Sequence, residues 1–157
     1  MNEISTEKLD NILKKASLES YEQLITEKNS EDLPSLSDYL NEYIGKKSLV
    51  VPEIIKSSLL SRDYAYSILN GNRKNPSRDK IIALCLAMHM NLKEVQRALK
   101  LSNAGTLYSK NKRDGAIIIF FNTGEYNIMR LNDFLAKHSL DILHTSKEIL
   151  NQGIQDT

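Results

Sequence analysis

The side chains with the most distinctive chemistry in this sequence lie between residues 61 and 78. Arginine can bind guanine through two hydrogen bonds, serine can serve several bases, and aspartate can accept from the N4 amino group of cytosine. Residues of this kind lie on the outward face of a helix predicted for Ser61–Asn70, namely Arg62, Asp63, Tyr66 and Ser67. Side chains that suit phosphate, where contacts fix register without reading sequence, follow directly, namely Asn70, Arg73, Lys74 and Arg78. The pattern predicts base contacts followed by phosphate contacts.

The net charge of the chain hides a strong polarity along it. The 157 residues carry 21 basic and 20 acidic side chains, for a net charge of +1. By segment, residues 1–43 have net −6, residues 44–80 net +5 and residues 81–157 net +2. Because screening limits each charge to a Debye length of roughly 8 Å, the +5 segment can attract anions although the whole chain is nearly neutral. The alternative, a solvated basic face on a helical protein, stays open.

Other chemistries lack the residues that they need. One cysteine allows neither an internal disulfide nor a cysteine metal cluster, and Cys85 lies in the most apolar predicted helix, which favours a core role. The three histidines stand in different predicted elements without metal-site spacing, and no phosphate-binding glycine loop or nucleophile motif occurs. We therefore predict no catalytic residue, no metal, no cofactor and no enzyme activity.

A membrane location is equally unsupported by the sequence. No apolar run approaches the roughly 18–20 residues that span a bilayer, and the first residues do not resemble a signal peptide. The sequence predicts a cytoplasmic protein with no membrane partner.

The elements that must position the polar face are predicted to be helices, because most apolar residues recur at spacings of three and four. Ser35 or Ser37 is expected to cap the first of them, and Gly45 to end it as a left-handed residue. Further helices are expected to begin near Val51, Ser61, Ser77 and Asn91, and then to span Lys112–Asn122 and Ile128–Lys137. For 112–122 a buried strand stays open, since Ile117, Ile118 and Ile119 are β-branched.

Residues 51–77 resemble the helix-turn-helix of the repressor family that includes the lambda and Cro repressors and the xenobiotic-response-element-like regulators. The matching positions are Leu60 and Ser61 entering the second helix, Ile68 on its inner face, Asn70 and Gly71 at its end, and 73–77 before the next helix. Outside this stretch, Leu107, Tyr108 and 112–114 resemble a bacterial subgroup of such regulators with two additional helices.

The resemblance implies an all-α fold built on a five-helix lambda-repressor-like domain at 35–103. An acidic helical extension and linker are expected in 1–34, and two extra helices with a frayed tail in 104–157. Arg113 and Asp114 are expected to form ion pairs with Arg78 and Asp79, clamping the extra helices to the domain.

The implied function is a DNA-binding transcriptional regulator that inserts Ser61–Asn70 into the major groove of double-stranded DNA. A protein-interaction module without DNA binding stays open as the alternative. It is favoured by Ile55 and Leu59, which are larger than the residues usual in the family at those positions, and by the negative charge of Asp63. The acidic N-terminal segment carries two apolar stripes and is expected to form a homodimer or partner contact through Leu9, Ile12, Leu13 and Tyr21. A solvated appendage and a cover over the basic face stay open as alternatives.

Overall fold

The computed structural model describes residues 33–145 as an all-helical unit. The chain divides into two units between Leu33 and Pro34, and the fold below is that of the second. The extension at 1–32, with its expected dimerisation stripe, and the tail at 146–157 lie outside the described residues. Within them the all-α prediction is confirmed, with seven helices and no strand: α1 Leu36–Lys47, α2 Val51–Ser58, α3 Arg62–Leu69, α4 Arg78–Ala87, α5 Leu92–Leu101, α6 Lys112–Asn122 and α7 Ile128–Lys137.

Most helices begin at a polar side chain that satisfies an amide of the first turn. Ser35 Oγ accepts from the Asp38 amide at 3.1 Å, and Ser61 Oγ accepts from the Tyr64 amide at 3.2 Å. At α5, Asn91 and Glu94 form a reciprocal capping box. Each such bond satisfies a donor that has no partner within the helix, so the predicted starts at Ser35, Ser61 and Asn91 are confirmed. Ser77 occupies the cap position of α4 without a side-chain bond.

The apolar segment 112–122 forms a helix and not a strand. Asn111 Oδ1 accepts from the Asp114 amide at 3.0 Å and caps α6. Four apolar side chains then recur at helical spacing and are buried: Ala116, Ile117, Phe120 and Phe121. Burial of this stripe outweighs the weak preference of three consecutive isoleucines for extended backbone.

The centre of the core is α4. Every residue of this helix from Ile81 to Ala87 is buried, and the helix packs against α2, α5 and α7. From α1, the hydroxyl groups of Tyr39 and Tyr43 donate to the carbonyl oxygens of Glu94 and His89. Burial, followed by the nearby charge of Glu94, raises the pKa of Tyr39 to about 12, so this phenol remains a donor at neutral pH. In the described residues no helix combines the length and apolar character needed to cross a bilayer.

The end of α1 differs from the prediction. Gly45 lies inside the helix, and the left-handed residue is Ser48, with φ 52° and ψ 44°. The Leu49 amide donates to the Ile44 carbonyl at 3.0 Å and the Ser48 amide to that of Gly45 at 3.3 Å, which closes the terminus. Because these backbone bonds stabilise the end of the helix, a residue other than glycine, Ser48, can occupy the left-handed position.

Replacing Gly45 with alanine is therefore expected to stabilise the protein by roughly 0.5–1 kcal/mol, since glycine is costly in a helix interior. Nothing lies within 4 Å of the position that the new Cβ would take. Ser48→Gly serves as the matched variant, with a smaller gain because glycine also gains freedom in the unfolded chain. Urea denaturation of both variants measures the change in the free energy of unfolding. A lower midpoint for Gly45→Ala would place the left-handed residue at Gly45 after all.

Candidate functional site

The turn between α2 and α3 is held by a buried serine. Ser58 Oγ donates to the Ile55 carbonyl at 2.7 Å and accepts from the Leu60 amide at 3.2 Å. Leu59 takes left-handed backbone, with φ 60°, and Leu60 is fully buried. These contacts set the direction in which α3 leaves the turn. Ser58 could not be identified from the sequence, because a serine next to a second serine and two leucines occurs in buried and in surface turns alike.

Burial of one side of α3 leaves the other side open. Ala65, Ile68 and Leu69 are buried, and the Asn41 side chain of α1 donates to the Leu69 carbonyl at 2.8 Å. Of the residues predicted to contact bases, Arg62 and Asp63 are exposed, whereas Tyr66 and Ser67 are half-buried. The open side of α3 therefore carries the predicted set.

Two of these side chains are positioned by neighbours. The Arg62 guanidinium lies 5.5 Å from the centroid of the Tyr66 ring, a cation–π contact. Ser67 Oγ donates to the Tyr64 carbonyl at 2.6 Å and accepts from Arg73 Nε at 3.1 Å. A serine hydroxyl has one donor and two acceptor sites. Ser67 thus keeps one acceptor site for a ligand.

The ring of Tyr64 gathers positive charge beside this surface. Arg73 Cζ and Lys80 Nζ each lie 4.2 Å from the ring centroid. The ring is held in place because Tyr64 Oη accepts from the Ser77 amide at 3.3 Å. We call the group formed by Tyr64, Arg73 and Lys80 the Tyr64 cluster. Lys80 could not be identified from the sequence, because it lies in the first turn of α4, sixteen residues from Tyr64.

Among the remaining side chains predicted to contact phosphate, Asn70 and Lys74 lie at and just after the end of α3, whereas Arg78 makes its contacts within the fold. Asn70 caps the end of α3, and its Oδ1 accepts from the Asn72 amide at 2.9 Å. Lys74 is exposed and has no ion pair with any described residue. Gly71, with φ 84°, gives the chain the turn that brings this loop back toward α3, and a Cβ there would lie 3.1 Å from Ser37 Oγ.

Arg78 has an internal role where the sequence predicted a phosphate contact. Its guanidinium donates to both carboxylate oxygens of Asp114, at 2.8 and 2.7 Å, and to the carbonyls of Gly105 and Thr106, at 3.0 and 2.8 Å. Four of its five N–H groups are thus occupied. Arg78 therefore stands apart from the Tyr64 cluster, as an anchor for the chain beyond α5.

A second pair mirrors this one, which confirms the predicted pairing between 78–79 and 113–114. Arg113 donates to both oxygens of Asp79, at 3.0 and 2.9 Å, and to the carbonyls of Asp141 and Ile142. We call the four side chains of the two pairs the Arg–Asp clamp. It joins the start of α4 to the start of α6 and holds the chain that follows α7.

The electrostatics of the clamp favour its charged form. Burial by itself raises the pKa of Asp114, but hydrogen bonds from Arg78 and from the Tyr108 amide, with the charges of both arginines, outweigh it and hold this pKa below its usual value. The same bond to Asp114 raises the pKa of Arg78. Both side chains are therefore ionised at neutral pH.

An apolar depression lies between α2 and α3, next to the open side of α3. It has a volume of about 340 Å³ and is lined by Pro52, Ile55, Lys56, Leu60, Arg62 and Tyr66. Elsewhere, Cys85 is buried in α4, and desolvation strongly raises the pKa of its thiol. Residues 33–145 contain no group of three or more metal-binding side chains.

Comparison of the chain with protein-family models, with curated proteins and with solved structures finds no match.

Proposed function

We propose that this protein is a DNA-binding transcriptional regulator of the helix-turn-helix type, in which α2 and α3 are the two helices of the motif and α3 enters the major groove. The observation that carries the proposal is the Tyr64 cluster, which concentrates two cations beside the open side of an eight-residue helix. A B-DNA major groove about 12 Å wide admits one helix, and the flanking turns then meet phosphates.

Phosphate binding would come from Arg73, Lys74 and Lys80, with the Asn70 side chain at the end of α3. Arg73 is held by Tyr64 and Ser67, so little side-chain freedom is lost when it meets a phosphate. Their charge is not cancelled locally, because the ion pairs of the described residues involve other side chains. Such contacts give affinity that depends on salt but little on sequence.

Base recognition would come from the open side of α3. Arg62, supported by the Tyr66 ring, is suited to guanine, and Asp63 to the N4 amino group of cytosine. Ser67 has only an acceptor site left, so it would favour the exocyclic amino groups of cytosine or adenine over carbonyl oxygens.

The double variant Arg73→Glu/Lys74→Glu tests the proposal. We expect it to weaken binding at least about tenfold for every duplex, since hydrogen bonds to charged groups contribute about 1.5–3 kcal/mol each. The slope of log affinity against log salt should fall by about 1.8, or about 0.9 per phosphate. Fluorescence titration of mixed-sequence and selected duplexes at several salt concentrations measures both quantities.

Arg62→Ala is the matched variant in the same titrations. It should change which sequences are selected while leaving most of the salt slope in place, because it removes a base contact. The proposal is wrong if the unaltered protein shows no salt-dependent binding at low ionic strength, or if neither variant alters the titrations.

A protein-interaction module is the second candidate, and the apolar depression between α2 and α3 favours it. Pro52, Ile55 and Leu60 line this depression beside Tyr66, and an aromatic neighbour of an apolar pocket is typical of protein contacts. In that case a partner protein should copurify with the unaltered protein and with Arg73→Glu/Lys74→Glu, but not with Tyr66→Ala. The unaltered protein should then bind no duplex at low salt.

A further inference from the structure

The loop between α5 and α6 is held rigidly against the start of α4. Arg78 donates to the carbonyls of Gly105 and Thr106. The Gln96 side chain then bonds both backbone groups of Leu107, accepting from its amide at 2.7 Å and donating to its carbonyl at 2.9 Å. The amide of Tyr108 donates to Asp114 at 2.9 Å. Each anchor uses backbone groups, so the side chains that follow are left free to face outward.

Those outward side chains are an aromatic residue and two cations. Tyr108 is 53% exposed, and Lys110 and Lys112 are exposed and have no hydrogen bond or ion pair with any described residue. Asp79 and Asp114, the carboxylates that join the starts of α4 and α6, are each paired with an arginine within the Arg–Asp clamp. The loop thus presents uncompensated positive charge.

Its position next to the Tyr64 cluster follows from a short series of contacts. Lys80 lies over the Tyr64 ring, and the hydroxyl of that ring accepts from the Ser77 amide. Arg78 is the next residue along the chain, and it contacts Gly105 and Thr106 directly. The 105–112 loop is therefore attached to the same end of α4 as the proposed phosphate contacts.

We propose that the 105–112 loop is a second DNA-backbone contact, which extends the proposed phosphate surface from the Tyr64 cluster across the start of α4. Lys110 and Lys112 bind phosphates outside the segment read by α3, and the Tyr108 hydroxyl donates to a neighbouring phosphate oxygen. The inference rests on the proposed DNA-binding function. Because the Arg–Asp clamp fixes the loop to the start of α4, it also fixes the position of the loop relative to α3.

The test is Lys110→Ala/Lys112→Ala, titrated in the full-length protein against a mixed-sequence duplex of about 30 base pairs, roughly 100 Å long. The salt slope should fall by about 1.8, or about 0.9 per lysine. Sequence preference should not change, because no base contact is removed. On a duplex that carries one selected site, hydroxyl-radical footprinting should show protection lost at one edge of the site only. Both lysines are exposed, so circular dichroism should show an unaltered fold.

Lys93→Ala is the matched control. Lys93 is an exposed lysine in the first turn of α5, which follows the C-terminal end of α4, and the ten residues of α4 separate its two ends by about 15 Å. Its loss should leave the salt slope unchanged, in contrast to Lys110→Ala or Lys112→Ala alone.

The possible outcomes separate this inference from the proposed function. If Arg73→Glu/Lys74→Glu lowers the slope and Lys110→Ala/Lys112→Ala does not, the loop is no DNA contact and the proposed function stands. If the unaltered protein binds no duplex, both proposals are overturned. A reduced slope with an unchanged footprint would mean that the lysines act only through long-range charge, and would also overturn the loop contact.

Discussion

Asp114→Ala is expected to destabilise the protein by about 3 kcal/mol, because removing one partner of a buried ion pair leaves the other charge without compensation. Asp114 is only 5% exposed and accepts from Arg78 twice and from the Tyr108 amide. The Arg78 side chain is 27% exposed, which places the loss at the lower end of the range for such pairs. Chemical denaturation of the full chain, followed by circular dichroism, measures it.

Two further variants show whether the loss comes from the unpaired charge. Arg78→Met/Asp114→Leu should recover part of the stability, since it leaves no unpaired buried charge, while the carbonyls of Gly105 and Thr106 and the Tyr108 amide still lose their partners. Glu125→Ala breaks the exposed pair with Arg130, whose side chains are 44% and 68% exposed, and should cost no more than about 1 kcal/mol. If Asp114→Ala costs no more than Glu125→Ala, the clamp contributes little to stability.

Acid should act through the same carboxylate. The pKa of Asp114 is lowered in the folded protein from its ordinary value of 3.8, so the unfolded chain takes up the proton first as pH falls. The stabilisation from this group is therefore present above pH 3.8 and decreases as pH falls toward the folded pKa. Asp114→Ala should show a shallower decrease of stability in this acid range than the unaltered protein.

Ile68→Ala is expected to cost about 2–4 kcal/mol, since it removes a buried side chain and leaves a cavity behind it. Ile68 is 1% exposed and lies on the inner side of α3, so the same change loosens the helix that would carry base recognition. Thermal and urea denaturation should both show the loss. Sequence-selective DNA binding should weaken more than binding to mixed sequence.

Ile119→Ala provides the comparison for this effect. Ile119 is an isoleucine of α6 that is 57% exposed, so its truncation should change stability by no more than about 0.5 kcal/mol. Ile68→Val should recover most of the loss of Ile68→Ala, because only one methylene is removed. Equal losses at positions 68 and 119 would contradict the packing of α3 described above.

Local features of the fold could be predicted well from the sequence. Helical spacing of apolar residues located the helices of the described region, and Ser61 and Asn91 begin helices as expected. The pairing of 78–79 with 113–114 was also predicted, because each Arg-Asp dipeptide offers an opposite charge to both residues of the other. A helix cap can be predicted because the capping side chain bonds an amide within the next turn. An ion pair can be predicted where two short segments offer complementary charges.

Features that depend on distant packing could not be predicted in the same way. Three isoleucines in α6 were compatible with a strand until the burial of that face was known. Gly45 was expected in left-handed backbone, yet α1 continues through it, because the bonds of Ser48 and Leu49 decide where the helix ends. A glycine in a helix costs only about 1 kcal/mol, so the choice between two sets of local backbone bonds outweighs it, and the spacing of apolar residues does not reveal that choice.

By itself, the sequence determined that the described part of this protein is helical, that positive charge concentrates between residues 44 and 80, and which residues lie on the two sides of α3. Only the tertiary structure decided how that charge is used. It turned Arg78 inward to Asp114 and brought Lys80 to the ring of Tyr64 beside Arg73. The physical reason is that the position of a cation is set by the partner and the burial that stabilise it, and folding brings together partners that are 9 to 36 residues apart along the chain.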